Sequence, residues 1–117
     1  MRVRRAFSFE AAHRLPRHPG KCRDLHGHSF RLFVTVDRAV DPDSGLAMDF
    51  SELKRIVKAE VVDLLDHKFL NDVIENPTAE HVAVWIWDRL AGPVAGLHEI
   101  ELFETRNCSV VYRGEQT

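Results

Sequence analysis

Cysteine is scarce in this chain: two residues among 117, too few for a disulfide framework. A basic excess is missing as well. Sixteen Lys and Arg face 18 Asp and Glu, and the formal net charge of −2 argues against a general nucleic-acid binder. No stretch approaches the roughly 20 apolar residues that a membrane helix needs, which argues against a membrane partner. The N-terminal run MRVRRAFSFEAAH carries basic residues but alternates too strictly for the apolar run of a signal peptide. A cytoplasmic location is therefore expected. Repeats, low-complexity tracts and linkers are absent too. With 44% hydrophobic and 29% charged residues, the balance is that of one globular domain over 1–117, with one modest core. What the chain has in unusual number is histidine, with seven.

Residues 2–13 alternate, with Val3, Phe7, Phe9, Ala11 and His13 on one parity, which predicts a strand. Residues 14–25 hold two prolines, a glycine and several charges and read as a loop. A second long strand is expected within 26–39, with Phe30, Leu32, Val34 and Val36 on one side. Asp41-Pro42-Asp43-Ser44-Gly45 is a turn sequence. Leu53, Ile56, Val57, Val61 and Leu64 recur at helical spacing, predicting a helix over about 50–65 capped by Asp49, with Glu52 completing a capping-box-like pair. Thr78 is placed to cap a second helix running to about Leu90, ended by Gly92-Pro93. Residues 97–113 read as two strands joined near Arg106-Asn107. The order β-β-α-α-β-β predicts an antiparallel α+β domain with two helices on one face of a four-stranded sheet. Its long strand edges favour an oligomer.

His26 and His28 form a His-Gly-His unit whose spacing of two puts both rings on the face of Phe30 and Leu32. His13 ends the first strand on the parity of Phe9 and Ala11. If the two strands pair through the 14–25 loop, the three imidazoles converge, with Gly27 allowing a close approach. Neutral imidazoles suit zinc, and a three-histidine site leaves a fourth position open, as catalytic zinc sites do.

Cys22 lies four residues before His26, flanked by Lys21 and Arg23, and positive neighbours favour a thiolate. From the residues alone it is a fourth metal ligand, a general base or an inert surface thiol. Cys108 reads as a small core residue. Asp66-His67 follows the first helix, either as a pair able to orient each other for proton transfer or with His67 as a C-terminal helix cap. Glu104 shares parity with Ile100 and Leu102, where a carboxylate is costly unless it finds donors. A ligand with two adjacent N–H groups, an internal Arg, or solvent at the strand end would each supply them.

These segments together resemble a known family. Phe9-Glu10-Ala11-Ala12-His13-Arg14-Leu15 is followed in order by Cys22-Arg23-Asp24-Leu25-His26-Gly27-His28, Met48-Asp49-Phe50, Leu65-Asp66-His67, Pro77-Thr78-Ala79-Glu80 and Glu104-Thr105. The set resembles the 6-pyruvoyl-tetrahydropterin synthase family over nearly the whole chain. The three-residue gap between Cys22 and His26 resembles the bacterial carboxy-forming branch, which serves queuosine biosynthesis. Pyruvoyl-forming members typically have a longer gap, and a folate-pathway branch has Glu in place of the Cys.

The resemblance implies the tunnelling fold, with subunits closing an oligomeric barrel and two trimers stacking into a hexamer. It makes His13, His26 and His28 the ligands of one zinc per subunit and Cys22 the proton acceptor. Asp66 and His67 become relay partners, Glu104 the anchor of the pterin ring and Thr105 a further hold on it. The implied substrate is 7,8-dihydroneopterin triphosphate. The implied products are 6-carboxy-tetrahydropterin, acetaldehyde and triphosphate, with Arg14, Arg17, Lys21 and Arg23 near enough in sequence to meet the triphosphate. One departure is His81, where the family often has Asn, expected to touch a subunit contact and not the chemistry. The competing readings are a pyruvoyl-forming or broad-specificity pterin synthase, and a non-enzymatic zinc-binding module, which would leave Cys22, Asp66-His67 and Glu104 unexplained.

Overall fold

Strict alternation makes the first third of the chain a long hairpin. Strands β1 (Arg2–His13) and β2 (His26–Asp37) pair antiparallel along their full length, from Arg2↔Asp37 to His13↔His26. In the computed structural model, which describes residues 1–115, Gln116 and Thr117 of the expected 1–117 domain lie outside the described residues. The second strand stops at Asp37, where the ladder gives way to bonds from Asp37 N–H to Gly96 O and from Arg38 N–H to Met1 O. Strands β4 (Leu97–Thr105) and β5 (Cys108–Tyr112) extend the sheet beyond β2, turning at Arg106-Asn107 as the sequence predicts.

The sheet has five strands, not four. The additional one, β3 (Lys68–Phe69), pairs parallel with Ala11 and Ala12 of β1, so the order is β3-β1-β2-β4-β5. Two residues carry no periodicity, and nothing in the sequence marks them as a strand.

The first helical segment runs over 50–65 as α1 (Phe50–Val57), a π-helical stretch (Lys58–Val62) and a last turn, α2 (Asp63–Leu65). Asp49 caps it by accepting from Ser51 N–H at 2.8 Å. Glu52 does not complete a capping box, because its carboxylate pairs with Arg55 instead. The second helix, α3 (Ala79–Leu90), is capped as expected by Thr78, whose hydroxyl accepts from His81 N–H at 3.1 Å. Both helical segments lie on one face of the sheet. Leu53, Val57, Val61, Val82, Ile86 and Leu90 are buried against Phe9, Phe30, Leu32, Val34, Ile100 and Leu102. Each such side chain stabilises the fold by roughly 1.5–3 kcal/mol through burial. The opposite face carries Arg4, Arg31, Phe33 and Phe103, with both guanidinium groups over the Phe33 ring. Among the described residues no helix is long and apolar enough to cross a membrane.

Candidate active site

The buried stripe of the hairpin ends in histidine. Phe9 stacks on Phe30 across the ladder, and one step further the stripe continues as His13, His26 and His28. The three ring centroids lie 4.5–5.2 Å apart, and one ligand atom from each ring falls within 4.8 Å of the others. The convergence expected from parity is thus realised. Gly27 lies between the two β2 histidines on the opposite side of the strand. A Cβ there would meet only Ala11 O at 3.6 Å, an ordinary contact, so no neighbouring protein atom requires a glycine at this position.

Backbone carbonyls orient the rings. The Nδ1 of the fully buried His13 donates to Pro77 O at 2.8 Å, and the Nδ1 of His26 donates to Asp24 O at 2.7 Å. Both rings then turn an Nε2 lone pair toward the cluster, where these two atoms are 3.0 Å apart. Two lone pairs at that distance repel unless a cation or proton sits between them. His28 Nε2 is buried without a hydrogen-bond partner. A metal ion satisfies all three nitrogens at once, and carbonyls on the outer ring nitrogens are the usual supports of metal-bound histidines. Desolvation lowers the pKa of His13 and of His28 from the ordinary imidazole value of 6.5, outweighing the bond to the Pro77 carbonyl at His13 and the opposing pull of Glu104 on both. Burial thus favours the neutral form of these two rings, the form that binds metal.

Glu104 reaches the same centre from β4. Its carboxylate lies 3.6 Å from His28 Nε2 and 4.0 Å from His13 Nε2, and no Arg pairs with it among the described residues. It also lines a cleft of about 360 Å³ with Cys22, Leu15, Thr78, Glu80 and Cys108. Glu104 is thus the link between the histidines and the thiol. Cys22 sits in a 3₁₀ turn (Lys21–Arg23) and is fixed by the bond from Leu15 N–H to Cys22 O at 2.9 Å. It stands outside the group of side chains that could hold a metal ion. Cys108 is exposed, not a core residue, because it opens β5 immediately after the turn.

Asp66 and His67 form a pair, with His67 Nδ1 3.1 Å from Asp66 Oδ1. They are tied to β1 by two bonds: Glu10 N–H donates to Asp66 Oδ1 at 2.9 Å, and His67 N–H donates to Glu10 O at 2.5 Å. The Glu10 N–H, followed by His67, lowers the Asp66 pKa from its ordinary value. His67 does not cap the helix. Its φ of 58° sends the chain into β3, and its exposed ring faces a groove of about 620 Å³ shared with Gly27, His28 and Ser29. Within one chain, therefore, Cys22 and His67 open onto different clefts, the first lined by Glu104 and the second by His28.

Thr105 lines a third cleft, of about 520 Å³, with Arg4, Arg31 and Arg106 on the other side of the sheet. None of Arg14, Arg17, Lys21 and Arg23 lines the Cys22 cleft. Thr78 and Glu80 do, though the sequence marked Thr78 only as a helix cap and gave Glu80 no site role beyond the Pro77–Glu80 segment of the resemblance. Their available signal was position: the stretch that caps α3 also supplies the carbonyl holding His13.

Comparison with known proteins identifies a family and a fold. The family model described as 6-pyruvoyl tetrahydropterin synthase matches residues 2–115. A 6-carboxy-5,6,7,8-tetrahydropterin synthase from Synechocystis is 48% identical, over 94% of this chain and 91% of that protein. A 6-pyruvoyl tetrahydrobiopterin synthase from Dictyostelium discoideum is 45% identical over 82% of this chain and 76% of its own length. Among solved structures, the 6-pyruvoyl tetrahydropterin synthase of Caenorhabditis elegans superposes with a TM-score of 0.90 at 29% identity, covering 98% of this chain and 96% of that one.

Proposed function

This chain belongs to the 6-pyruvoyl tetrahydropterin synthase family, and from that membership we propose that it is a zinc-dependent 6-carboxy-5,6,7,8-tetrahydropterin synthase. With one water, it converts 7,8-dihydroneopterin triphosphate to 6-carboxy-tetrahydropterin, acetaldehyde and triphosphate, a lyase reaction that would serve queuosine biosynthesis in the cytoplasm. Residues 1–117 act as one domain of a homohexamer built as a dimer of trimers. The observation that carries the reading is Glu104, which touches the histidine centre and lines the cleft that holds Cys22.

In this proposal His13, His26 and His28 hold one zinc per subunit through their inward nitrogens. Zinc bound there supplies Lewis acidity toward the hydroxyls of the substrate side chain. Glu104 accepts from the adjacent N–H groups of the pterin ring and fixes the ring's orientation, a positioning effect. Thr105, whose side chain lines a cleft on the other side of the sheet, would add a hold on the ring only through its backbone. Cys22 acts as the base that takes the proton from the substrate's side-chain carbon. His67, oriented by Asp66, moves protons from the other side. Since Cys22 and His67 line separate clefts of one chain, a neighbouring subunit's pair is the natural completion of the relay. A proton-transfer group so positioned contributes about 10²–10⁴-fold to rate.

The three residues between Cys22 and His26 favour the carboxy-forming outcome. The Dictyostelium relative is the observation behind the alternative, 6-pyruvoyl-tetrahydropterin formation. Incubation with 7,8-dihydroneopterin triphosphate separates the two by the mass of the pterin formed. Acetaldehyde release supports the first, and a pyruvoyl-pterin without acetaldehyde supports the second.

A further inference from the structure

His81 stands exposed in the first turn of α3, outside the histidine cluster, and the sequence assigns it no chemistry. Its bonds say otherwise. The ring Nδ1 donates to Asn76 O at 2.8 Å, and its backbone N–H donates to the Thr78 hydroxyl at 3.1 Å. These two bonds bracket Pro77, whose carbonyl accepts from the buried Nδ1 of His13 at 2.8 Å. Pro77 has no N–H with which to anchor its own peptide. Asn76 is held at a φ of 48°, a left-handed conformation that non-glycine residues seldom adopt, and its side-chain oxygen is buried without a partner. The anchors of this segment are therefore the bonds to Asn76 O, from the His81 ring and from Thr78 N–H at 2.8 Å, and the Thr78 cap.

We infer that His81 is a positioning residue for the metal centre: its ring pins Asn76 so that the Pro77 carbonyl fixes the tautomer and aim of His13. The inference rests on the reading of the three histidines as a zinc site. It also accounts for the kind of residue that can stand here. Asn places its side-chain N–H where the Nδ1 of His lies, whereas Gln places it one atom further out, where Nε2 lies. Asn can therefore make the bond to Asn76 O, and Gln overshoots it.

The test is zinc affinity, measured by competition with a chromophoric chelator, for the wild type and for His81→Ala, His81→Asn and His81→Gln. Loss of an outer-shell partner typically weakens metal binding roughly 10–100-fold. His81→Ala and His81→Gln are expected to fall in that range, and His81→Asn to stay within about threefold of the wild type, against that same scale. Thermal unfolding of the four metal-free proteins gives the readout for a purely structural role, which would lower the midpoint without separating Asn from Gln in zinc affinity. Wild-type affinity in His81→Ala overturns the inference, and so does equal weakening in His81→Asn and His81→Gln. Should His81→Ala fail to fold, the Asn and Gln pair decides the matter alone. A wild type that binds no zinc overturns the metal reading itself, a separate and recognisable result.

Discussion

The Nε2 atoms of His13 and His26 face each other across 3.0 Å, while the Nδ1 atom of each ring is already engaged by a backbone carbonyl. That relationship follows from one register. His13 pairs with His26 in the ladder, so the last rung of the hairpin brings two ring nitrogens together with their outer sides fixed. His28, one step inside, adds the unpartnered third.

Replacing His26 with Ala removes one of the three nitrogens and leaves the core stripe intact. Zinc affinity should fall by more than the roughly 10–100-fold typical of a lost outer-shell partner. Elemental analysis of the dialysed variant checks this, and full occupancy would show that the three histidines are not the ligands.

The pH dependence of the metal-free protein has a definite sign. His13 and His28 have pKa values lowered in the fold from 6.5, so the unfolded chain binds more protons than the native one between 6.5 and the lowered values. Stability contributed by the neutral rings is fully present above 6.5 and is lost as the pH falls through the lowered values. The melting temperature should therefore drop from pH 7 to pH 5. It should drop less in His28→Gln, because one of the two shifted groups is gone. A flat profile in the wild type would contradict the burial-driven shift.

Cys22→Ala should keep its zinc and lose turnover by at least about 10²-fold, the low end for a positioned general base. Cys108 is exposed in the same cleft, so alkylation of the wild type should label both thiols. Cys108→Ser should stay active and remain inactivated by the alkylating reagent through Cys22. Peptide mass mapping assigns the labels. Inactivation that vanishes with Cys108→Ser would move the chemistry to the wrong cysteine.

Assembly follows from the sheet edges. β3 covers only two residues of β1, and β5 leaves its outer side open with Val111 exposed, so both edges offer unpaired backbone groups. Light scattering at micromolar concentration should give a hexamer, or at least a trimer. A monomer would remove the subunit interface on which the Cys22–His67 relay depends.

The hairpin, both helices and the histidine cluster were legible because each rests on a periodicity: two along the strands, 3.6 along α1 and α3. β3 was not legible, since two residues have no period, and yet it carries the chain past His67 into its groove. Cys108 was misread because a small apolar residue beside a turn has no burial signature of its own. Glu104 was found by parity, but its proximity to His13 and His28 depended on the register between β2 and β4, which no local pattern fixes. The part played by Pro77 was out of reach for the same reason: a carbonyl acceptor leaves no trace in side-chain chemistry.

The most direct measurement is X-ray absorption at the zinc edge of the loaded wild-type protein. An open three-histidine centre predicts a first shell of nitrogen and oxygen only, at about 2.0–2.1 Å, unchanged in Cys22→Ala. A sulfur shell at about 2.3 Å that disappears in Cys22→Ala would contradict it. Cys22 would then be a ligand, the centre would be closed, and the thiol could not serve as the base.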